Sequence, residues 1–178
     1  MLDSIKAPYP QCIDLLKKNI SLDPQFKVFY TWAKSAGIPV IILSSGMTSI
    51  IRPLLVDFLG PEAEEIDIVC NEMVDRPGMN RDQPGGWTIR FHDDSDFGHD
   101  KSLTIRPYRE HFEKNQSQKR PTLLYAGDGV SDLSAARETD LLFAKTGKGK
   151  RARSYRWIAL INRSCDLLRT RGCAIYLV

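Results

Sequence analysis

Two continuous apolar runs, each followed by a segment with helical spacing, constrain the fold of this chain more than any other feature. The first run is VIILSS, residues 40–45, and the second is TLLYAG, residues 122–127. A run that is apolar at nearly every position is typical of a strand buried on both faces of a helix-covered parallel sheet. The sequence therefore predicts an α/β fold whose functional groups lie at the carboxyl ends of parallel strands.

Other segments continue the alternation of strands and helices. A helix is predicted over 23–37, because Asp23 is a good N-cap, Pro24 suits the first helical position and Gly37 marks the end. The remaining predictions are helices at 47–60, 101–114, 131–138 and 157–168, and strands at 66–71, 87–92 and 141–145. We expect three regions, namely a partial helical cap at 1–36, the core at 37–145, and a basic divergent tail at 146–178.

Composition excludes several classes of protein. Of the 178 residues, 42% are hydrophobic, and no apolar run reaches the length of a membrane span. No secretory signal pattern is present at the start, so we expect a cytoplasmic protein without a membrane partner. The four cysteines lack metal-site spacing and are expected to be free. The tail is strongly basic, but its basic residues are not interleaved with aromatic residues in the way that is typical of nucleic-acid binding. We therefore interpret the tail as a solvated face, and nucleic acid is not an expected partner.

The stretch YAGDGVSD, residues 125–132, places two carboxylates on a glycine turn after a buried strand. Oxygen ligands of this kind suit Mg²⁺, so Asp128 and Asp132 are candidate metal ligands. The alternative is that Asp132 caps the following helix.

Two further stretches carry candidate chemistry. Ser44, Ser45 and Gly46 follow the first apolar strand and are candidates for phosphate binding, through a hydroxyl and backbone N–H groups. Lys101, in the stretch GHDKS, could neutralise a phosphate or a carboxylate, or it could be a surface lysine. His99, beside Asp100, is a candidate for orienting the substrate loop.

Taken together, Ser44, Lys101 and GDGVSD resemble the second, third and fourth motifs of the haloacid dehalogenase superfamily of phosphatases. The sequence of residues 4–145 is similar to a branch of that superfamily that resembles phosphoserine phosphatase. The resemblance implies a Rossmann-like parallel sheet flanked by helices, a helical cap, Mg²⁺, and hydrolysis of a small phosphorylated metabolite through an aspartyl-phosphate. It implies a catalytic role for Lys101, phosphate binding by Ser44, Ser45 and Gly46, and metal binding by Asp128 and Asp132.

The sequence departs from that family at the first motif, Asp-x-Asp-x-Thr or Val, which supplies the nucleophile. No such pattern stands upstream of Ser44, so we expect a sequence truncated before it. Asp94 and Asp96 form an Asp-x-Asp pair, but Gly98 follows where Thr or Val is required. The family's strand order implies that the missing strand lies between the strands ending at Ser44 and Asp128. Either CAIYLV, residues 173–178, or a partner chain could fill that place.

The sequence therefore supports two kinds of function. One is Mg²⁺-dependent hydrolysis of a small phosphate monoester, the activity of the lineage, with the first-motif nucleophile missing from this chain. The alternative is a catalytically inactive remnant that acts in binding, or a truncated gene product.

Overall fold

The computed structural model describes residues 5–96, 98–114, 121–127, 132–146, 156–161 and 173–177. Contacts divide the chain into two compact units. The first unit comprises Met1–Thr31 and Ser44–His99, and the second comprises Trp32–Leu43 and Asp100–Val178. The boundaries predicted at 36/37 and 145/146 stay predictions.

Two helices come first in the chain, α1 (Tyr9–Asn19) and α2 (Pro24–Ser35). The Asp23 carboxylate accepts a hydrogen bond of 3.0 Å from the Gln25 N–H, as expected of an N-cap. After α2 the chain turns at Gly37, whose φ of 67° is a backbone conformation that favours glycine. The predicted helix is therefore confirmed, together with its start and stop signals.

Strand β1 (Val40–Met47) leads directly into α3 (Thr48–Leu59). Its first four residues are buried, as a continuous apolar run predicts, and exposure begins at Ser44. Helix α3 contains Pro53 in its second turn and ends at Gly60, with a φ of 93°. A short 3-10 helix (Pro61–Glu65) then precedes strand β2 (Asp67–Asp75).

In the first unit the strand order is β3-β2-β1, with β3 spanning Trp87–Arg90. Strands β2 and β3 are antiparallel, with Glu72 opposite Arg90 and Asp75 opposite Trp87. A core cluster of Tyr9, Met47, Met73 and Trp87 holds this unit together. The rings of Tyr9 and Trp87 meet edge to face, with centroids 5.3 Å apart, so α1 is anchored on this antiparallel pair.

The second unit contains the end of α2, the first half of β1 and the elements that follow residue 99. These are α4 (Lys101–Lys114), β4 (Thr122–Gly127), α5 (Asp132–Ala136), β5 (Leu141–Thr146), β6 (Arg156–Ile161) and β7 (Cys173–Leu177). The strand order is β1-β7-β4-β5-β6. Strand β7 is parallel to both β1 and β4, β4 is parallel to β5, and β6 is antiparallel to β5.

Strand β7 lies between β1 and β4. It pairs in parallel with both, so that Leu177 is level with Ile42 on one side and Ala126 on the other. The sequence left two candidates for the place between β1 and β4, namely the segment CAIYLV and a partner chain. The structure shows residues 173–177 of CAIYLV in this place. No carboxylate stands in CAIYLV, so the strand that fills the place brings no acidic side chain with it.

One expectation from the sequence requires correction. The helix predicted over 157–168 is wrong at its start, because Arg156–Ile161 is strand β6, antiparallel to β5. The aromatic and β-branched residues of RWIALI favour a strand once an open sheet edge is available to pair with. Residues 162–168 lie outside the described residues. The predicted parallel pairing is observed for β1, β7, β4 and β5, and the β2–β3 and β5–β6 pairs are antiparallel.

Across the described ranges, no helix is both long enough and apolar enough to span a membrane.

The central position of β7 can be tested by removing a backbone donor. Replacing Ile175, which pairs with both Val40 and Leu124, by proline removes its N–H and introduces a ring that a central strand does not accommodate. We expect Ile175→Pro to lower the free energy of unfolding by about 3 kcal/mol or more in urea denaturation. Ile175→Val, which keeps the N–H, is the control; equal midpoints for the two variants would contradict the pairing.

Candidate functional site

Lys101 is the first residue of α4, and its ammonium group meets the Asp132 carboxylate at the start of α5. The Nζ–Oδ1 distance is 2.6 Å, and the two side chains are only 4% and 5% exposed. A lysine and an aspartate rarely lie this deep unless they are paired, because taking charge out of water is costly. The structure thus brings together two of the residues predicted from the sequence.

Tyr125 completes this buried cluster, and the sequence analysis did not select it. The Tyr125 hydroxyl donates to the same Asp132 Oδ1 at 2.9 Å, and its side chain is fully buried. Alternation in β4 turns Tyr125 and Gly127 to one face of the strand. One carboxylate oxygen therefore accepts from both a lysine and a phenol, which fixes the orientation of Asp132.

Gly127 lets this carboxylate come close to β4. A Cβ atom on Gly127 would stand 2.4 Å from Asp132 Oδ2 and 2.7 Å from its Cγ, well inside contact distance. Glycine is required here for close approach. The predicted metal ligand Asp128 follows Gly127 directly but lies outside the described residues.

Asp100 forms a second polar network beside Lys101. Its Oδ1 accepts from the backbone N–H of Ser102 at 3.0 Å and from the Ser134 hydroxyl at 3.2 Å. Asp100 therefore both caps the start of α4 and ties α4 to α5. This hydrogen bond between Ser134 and Asp100 fixes the position of α4, which carries Lys101, relative to α5, which carries Asp132.

In the first unit, Ser44, Ser45 and Gly46 occupy the second half of β1, just before α3 begins at Thr48. Ser44 and Gly46 are half-buried and Ser45 is exposed. The Gly46 N–H donates to Ser44 Oγ at 3.1 Å, so this N–H group already serves the serine side chain. A hydroxyl that accepts in this way still has its own hydrogen to donate to an anion. The role of these residues in phosphate binding stays a prediction.

Two buried side chains hold the backbone of this segment. The His99 ring lies 2.9 Å from the Ser44 carbonyl oxygen through Nδ1, which must donate because a carbonyl can only accept. Asn71 donates to the Ser45 carbonyl at 2.9 Å and accepts from the His92 N–H at 2.8 Å. His99 and Asn71 are each 2% exposed. The sequence pointed to His99 but gave no sign of Asn71, whose partners are distant in the chain.

The Asp-x-Asp pair at Asp94 and Asp96 lies in a tight loop. Its ends are closed by hydrogen bonds of 3.0 and 3.2 Å from the His92 and Asp93 N–H groups to the Gly98 carbonyl. Asp93 Oδ1 accepts from the Ser95 N–H at 3.0 Å and from the Ser95 hydroxyl. Asp94 and Asp96 are exposed, without the burial that surrounds Asp132.

Comparison with known proteins decides the family. The model of the haloacid dehalogenase-like hydrolases matches residues 1–137, about three quarters of the chain. The chain belongs to this family. The resemblance seen in the sequence is therefore confirmed, and the α/β fold agrees with it.

Two curated relatives are similar to this chain. Pdp3-interacting factor 1 of Schizosaccharomyces pombe is 54% identical over 149 residues, which cover 83% of this chain and 61% of the relative. The polyol phosphate phosphatase PYP1 of Saccharomyces cerevisiae is 49% identical over 151 residues, covering 83% and 60%. The chain thus spans about three fifths of the length of these relatives. No solved structure matches it.

The donor chemistry around Asp132 suits Mg²⁺. Asp132 offers a hard oxygen ligand, and its carboxylate packs directly against Gly127 at the end of β4. Among the described residues, no group of three or more His, Cys, Asp or Glu side chains could hold a metal ion, and Asp128 is not among them. A metal at this site would therefore depend on Asp128 as well as on Asp132.

The burial of the Lys101–Asp132 pair predicts a large loss of stability when one partner is removed. Lys101→Met leaves an uncompensated buried carboxylate and should lower the free energy of unfolding by about 3–5 kcal/mol. Adding Asp132→Asn removes that charge and should recover most of the loss. The measurement is urea denaturation of the single and double variants.

Lys17→Met provides the matched control, because it breaks the Lys17–Asp57 pair, whose side chains are 36% and 47% exposed. An exposed pair of this kind contributes about 1 kcal/mol or less. Similar losses for Lys17→Met and Lys101→Met would show that the Lys101–Asp132 pair is not buried.

Proposed function

We propose that this protein acts in the Mg²⁺-dependent hydrolysis of a small phosphate monoester, and that the chain supplies the phosphate-binding, charge-balancing and metal-holding parts of the site. The observation that carries the proposal is the buried Lys101–Asp132 pair with the Tyr125 hydroxyl. Membership of the haloacid dehalogenase-like hydrolases supports it.

A buried ion pair supports catalysis more than it supports stability. Well-packed apolar residues of similar volume often stabilise a fold as much as a buried pair or more. Hydrolysis of a phosphate ester, in contrast, benefits from a cation and a carboxylate that are held rigidly in a low-dielectric setting. Such fixed charges stabilise the transition state without having to reorganise during the reaction. In the proposed function Lys101 balances the negative charge of phosphate, while Asp100 keeps α4 and α5 aligned.

Phosphate binding is assigned to Ser44 and its neighbours. The Ser44 hydroxyl is oriented by the Gly46 N–H, and its backbone carbonyl is held by His99. A pre-positioned hydroxyl hydrogen can bind a phosphate oxygen without a further loss of rotamer freedom. Ser45 and Gly46 would add backbone donors to this contact.

Mg²⁺ would be held by Asp128 and Asp132. When bound, it would neutralise phosphate charge and align the phosphoryl oxygens. The contribution of the chain itself is to fix the Asp132 carboxylate through Lys101 and Tyr125, and to let it approach β4 closely at Gly127.

Polyol phosphates are the first substrates to test. The relative from Saccharomyces cerevisiae is named a polyol phosphate phosphatase, and it shares about half of its aligned residues with this chain. A polyol phosphate is also a small phosphorylated metabolite, the substrate class that the motifs predict.

A second candidate function is phosphate and Mg²⁺ binding without turnover. The position of β7 favours it, because the strand between β1 and β4 carries no aspartate. Removing the nucleophile from a cooperating catalytic set costs roughly 10⁶ in rate. In this case the motifs would maintain a binding site, and turnover would need a nucleophile from outside this sequence or from Asp94 or Asp96.

Hydrolysis and binding can be separated in one set of assays. We expect phosphate release from sorbitol 6-phosphate and p-nitrophenyl phosphate to require Mg²⁺ and to disappear in Asp128→Asn, with Asp94→Asn and Asp96→Asn reporting on the nucleophile. Folding of each variant is checked by its urea midpoint. Retained binding of inorganic phosphate without release would support the second candidate. A folded chain that binds neither Mg²⁺ nor phosphate would contradict both.

A further inference from the structure

A cleft of about 620 Å³ lies in the first unit, between the start of α3 and strand β2. Its size falls in the range of sites for small organic ligands, about 300–1,000 Å³. The polar lining comprises the side chains of Thr48, Ser49, Arg52, Glu72 and Arg81. All of these residues belong to the first unit, whereas Asp132 belongs to the second.

Each charged side chain of the lining has an opposite charge beside it in the same unit. Arg81 makes two contacts with Asp75, at 2.9 and 3.3 Å. Arg52 donates to the Ala63 carbonyl at 2.5 Å and has Glu64 3.8 Å away, while Glu72 lies 3.6 Å from Arg90. The cleft therefore combines many hydrogen-bonding groups with little net charge. That combination suits a neutral ligand better than a free anion.

The lining also contains both donors and acceptors of hydrogen bonds. Guanidinium groups donate, the Glu72 carboxylate accepts, and the hydroxyls of Thr48 and Ser49 can do either. Two of these groups are already oriented, because Ser49 contacts the Tyr9 hydroxyl and Thr48 Oγ1 lies 3.1 Å from Cys70 Sγ. A ligand with several hydroxyl groups matches this surface, since every hydroxyl needs both kinds of partner.

The position of the cleft in the chain links it to phosphate binding. Helix α3 begins at Thr48, two residues after Gly46, and Ser44 belongs to the same unit. A phosphate held at Ser44 would leave the rest of a phosphate ester next to the start of α3.

We infer that the cleft binds the polyhydroxylated part of a phosphate ester, and that Thr48 and Glu72 determine specificity for a polyol over an alkyl group. The inference rests on the proposed function, because it takes Ser44 as the phosphate-binding position. The substrate class is the monophosphate of an open-chain polyol, and the polyol part that enters the cleft is uncharged.

The test compares ligands that differ in hydroxyl groups but not in length. Binding of sorbitol 6-phosphate, hexyl phosphate, sorbitol and inorganic phosphate is measured by NMR titration of the full chain. The wild-type chain should bind sorbitol 6-phosphate at least tenfold more tightly than hexyl phosphate. Because a hydrogen bond to a charged group contributes about 1.5–3 kcal/mol, Glu72→Ala should remove a tenfold preference, and Thr48→Val should reduce it.

Neither variant should change the affinity for inorganic phosphate or hexyl phosphate. Lys17→Met, which breaks an exposed ion pair outside the cleft lining, should leave all four affinities unchanged. Glu72 is half-exposed, so Glu72→Ala is expected to fold, and its urea midpoint verifies this. Equal wild-type affinities for sorbitol 6-phosphate and hexyl phosphate, or a preference that survives in Glu72→Ala, would overturn the inference.

Failure of the proposed function gives a different result. If the wild-type chain binds no inorganic phosphate, the assignment of Ser44 fails. The cleft is then judged with sorbitol by itself: shifts confined to amides of the cleft lining support polyol binding, and their absence overturns it.

Discussion

Backbone hydrogen bonding at the middle of a parallel sheet is the constraint on which this fold depends. A strand inside a sheet must pair on both sides, because a buried N–H or C=O group without a partner costs free energy. Here β1 and β4 both obtain their second partner from β7, a segment more than forty residues beyond β4 in the sequence. Without β7, two apolar edges would be open to association with other chains.

The same strand shapes the chemistry that the chain can perform. Strand β7 occupies the place that the family resemblance reserves for the nucleophile, yet its residues are Cys, Ala, Ile, Tyr and Leu. The charged groups around that place are nevertheless retained, since Lys101 and Asp132 stay paired and buried. Fixed charges of this kind suit the phosphate binding proposed for this chain. In the proposed function turnover depends on an aspartate, and β7 contributes none.

Local signals in the sequence were sufficient for most elements of the fold. Helix α4 spans Lys101–Lys114 as predicted, and α2 and α3 end at the glycines that were identified as stop signals. Strand β6 was missed because its apolar residues are compatible with a helix, and its strand conformation depends on pairing with β5. That pairing is a tertiary contact which periodicity does not report.

The candidate site was likewise predicted where a local sequence signal exists and missed where only tertiary contacts define it. Lys101 and Asp132 were found because each stands in a motif next to a predicted strand or helix. Tyr125 and Asn71 were not found. A tyrosine within an apolar strand looks like an ordinary core residue in the sequence, and the partners of Asn71 are 21 and 26 residues away. Asp128 was predicted with Asp132 but lies outside the described residues. Side chains that orient a site through long-range hydrogen bonds carry no local signature.

The most direct test of this account is amide hydrogen exchange of residues 173–177 in the full chain. Because β7 is paired on both sides, its amides should exchange only through global unfolding, with the same protection as amides of β1 and β4. Exchange of the β7 amides within seconds to minutes, while those of β1 and β4 stay protected, would contradict the central position of β7 and the account of the site that follows from it.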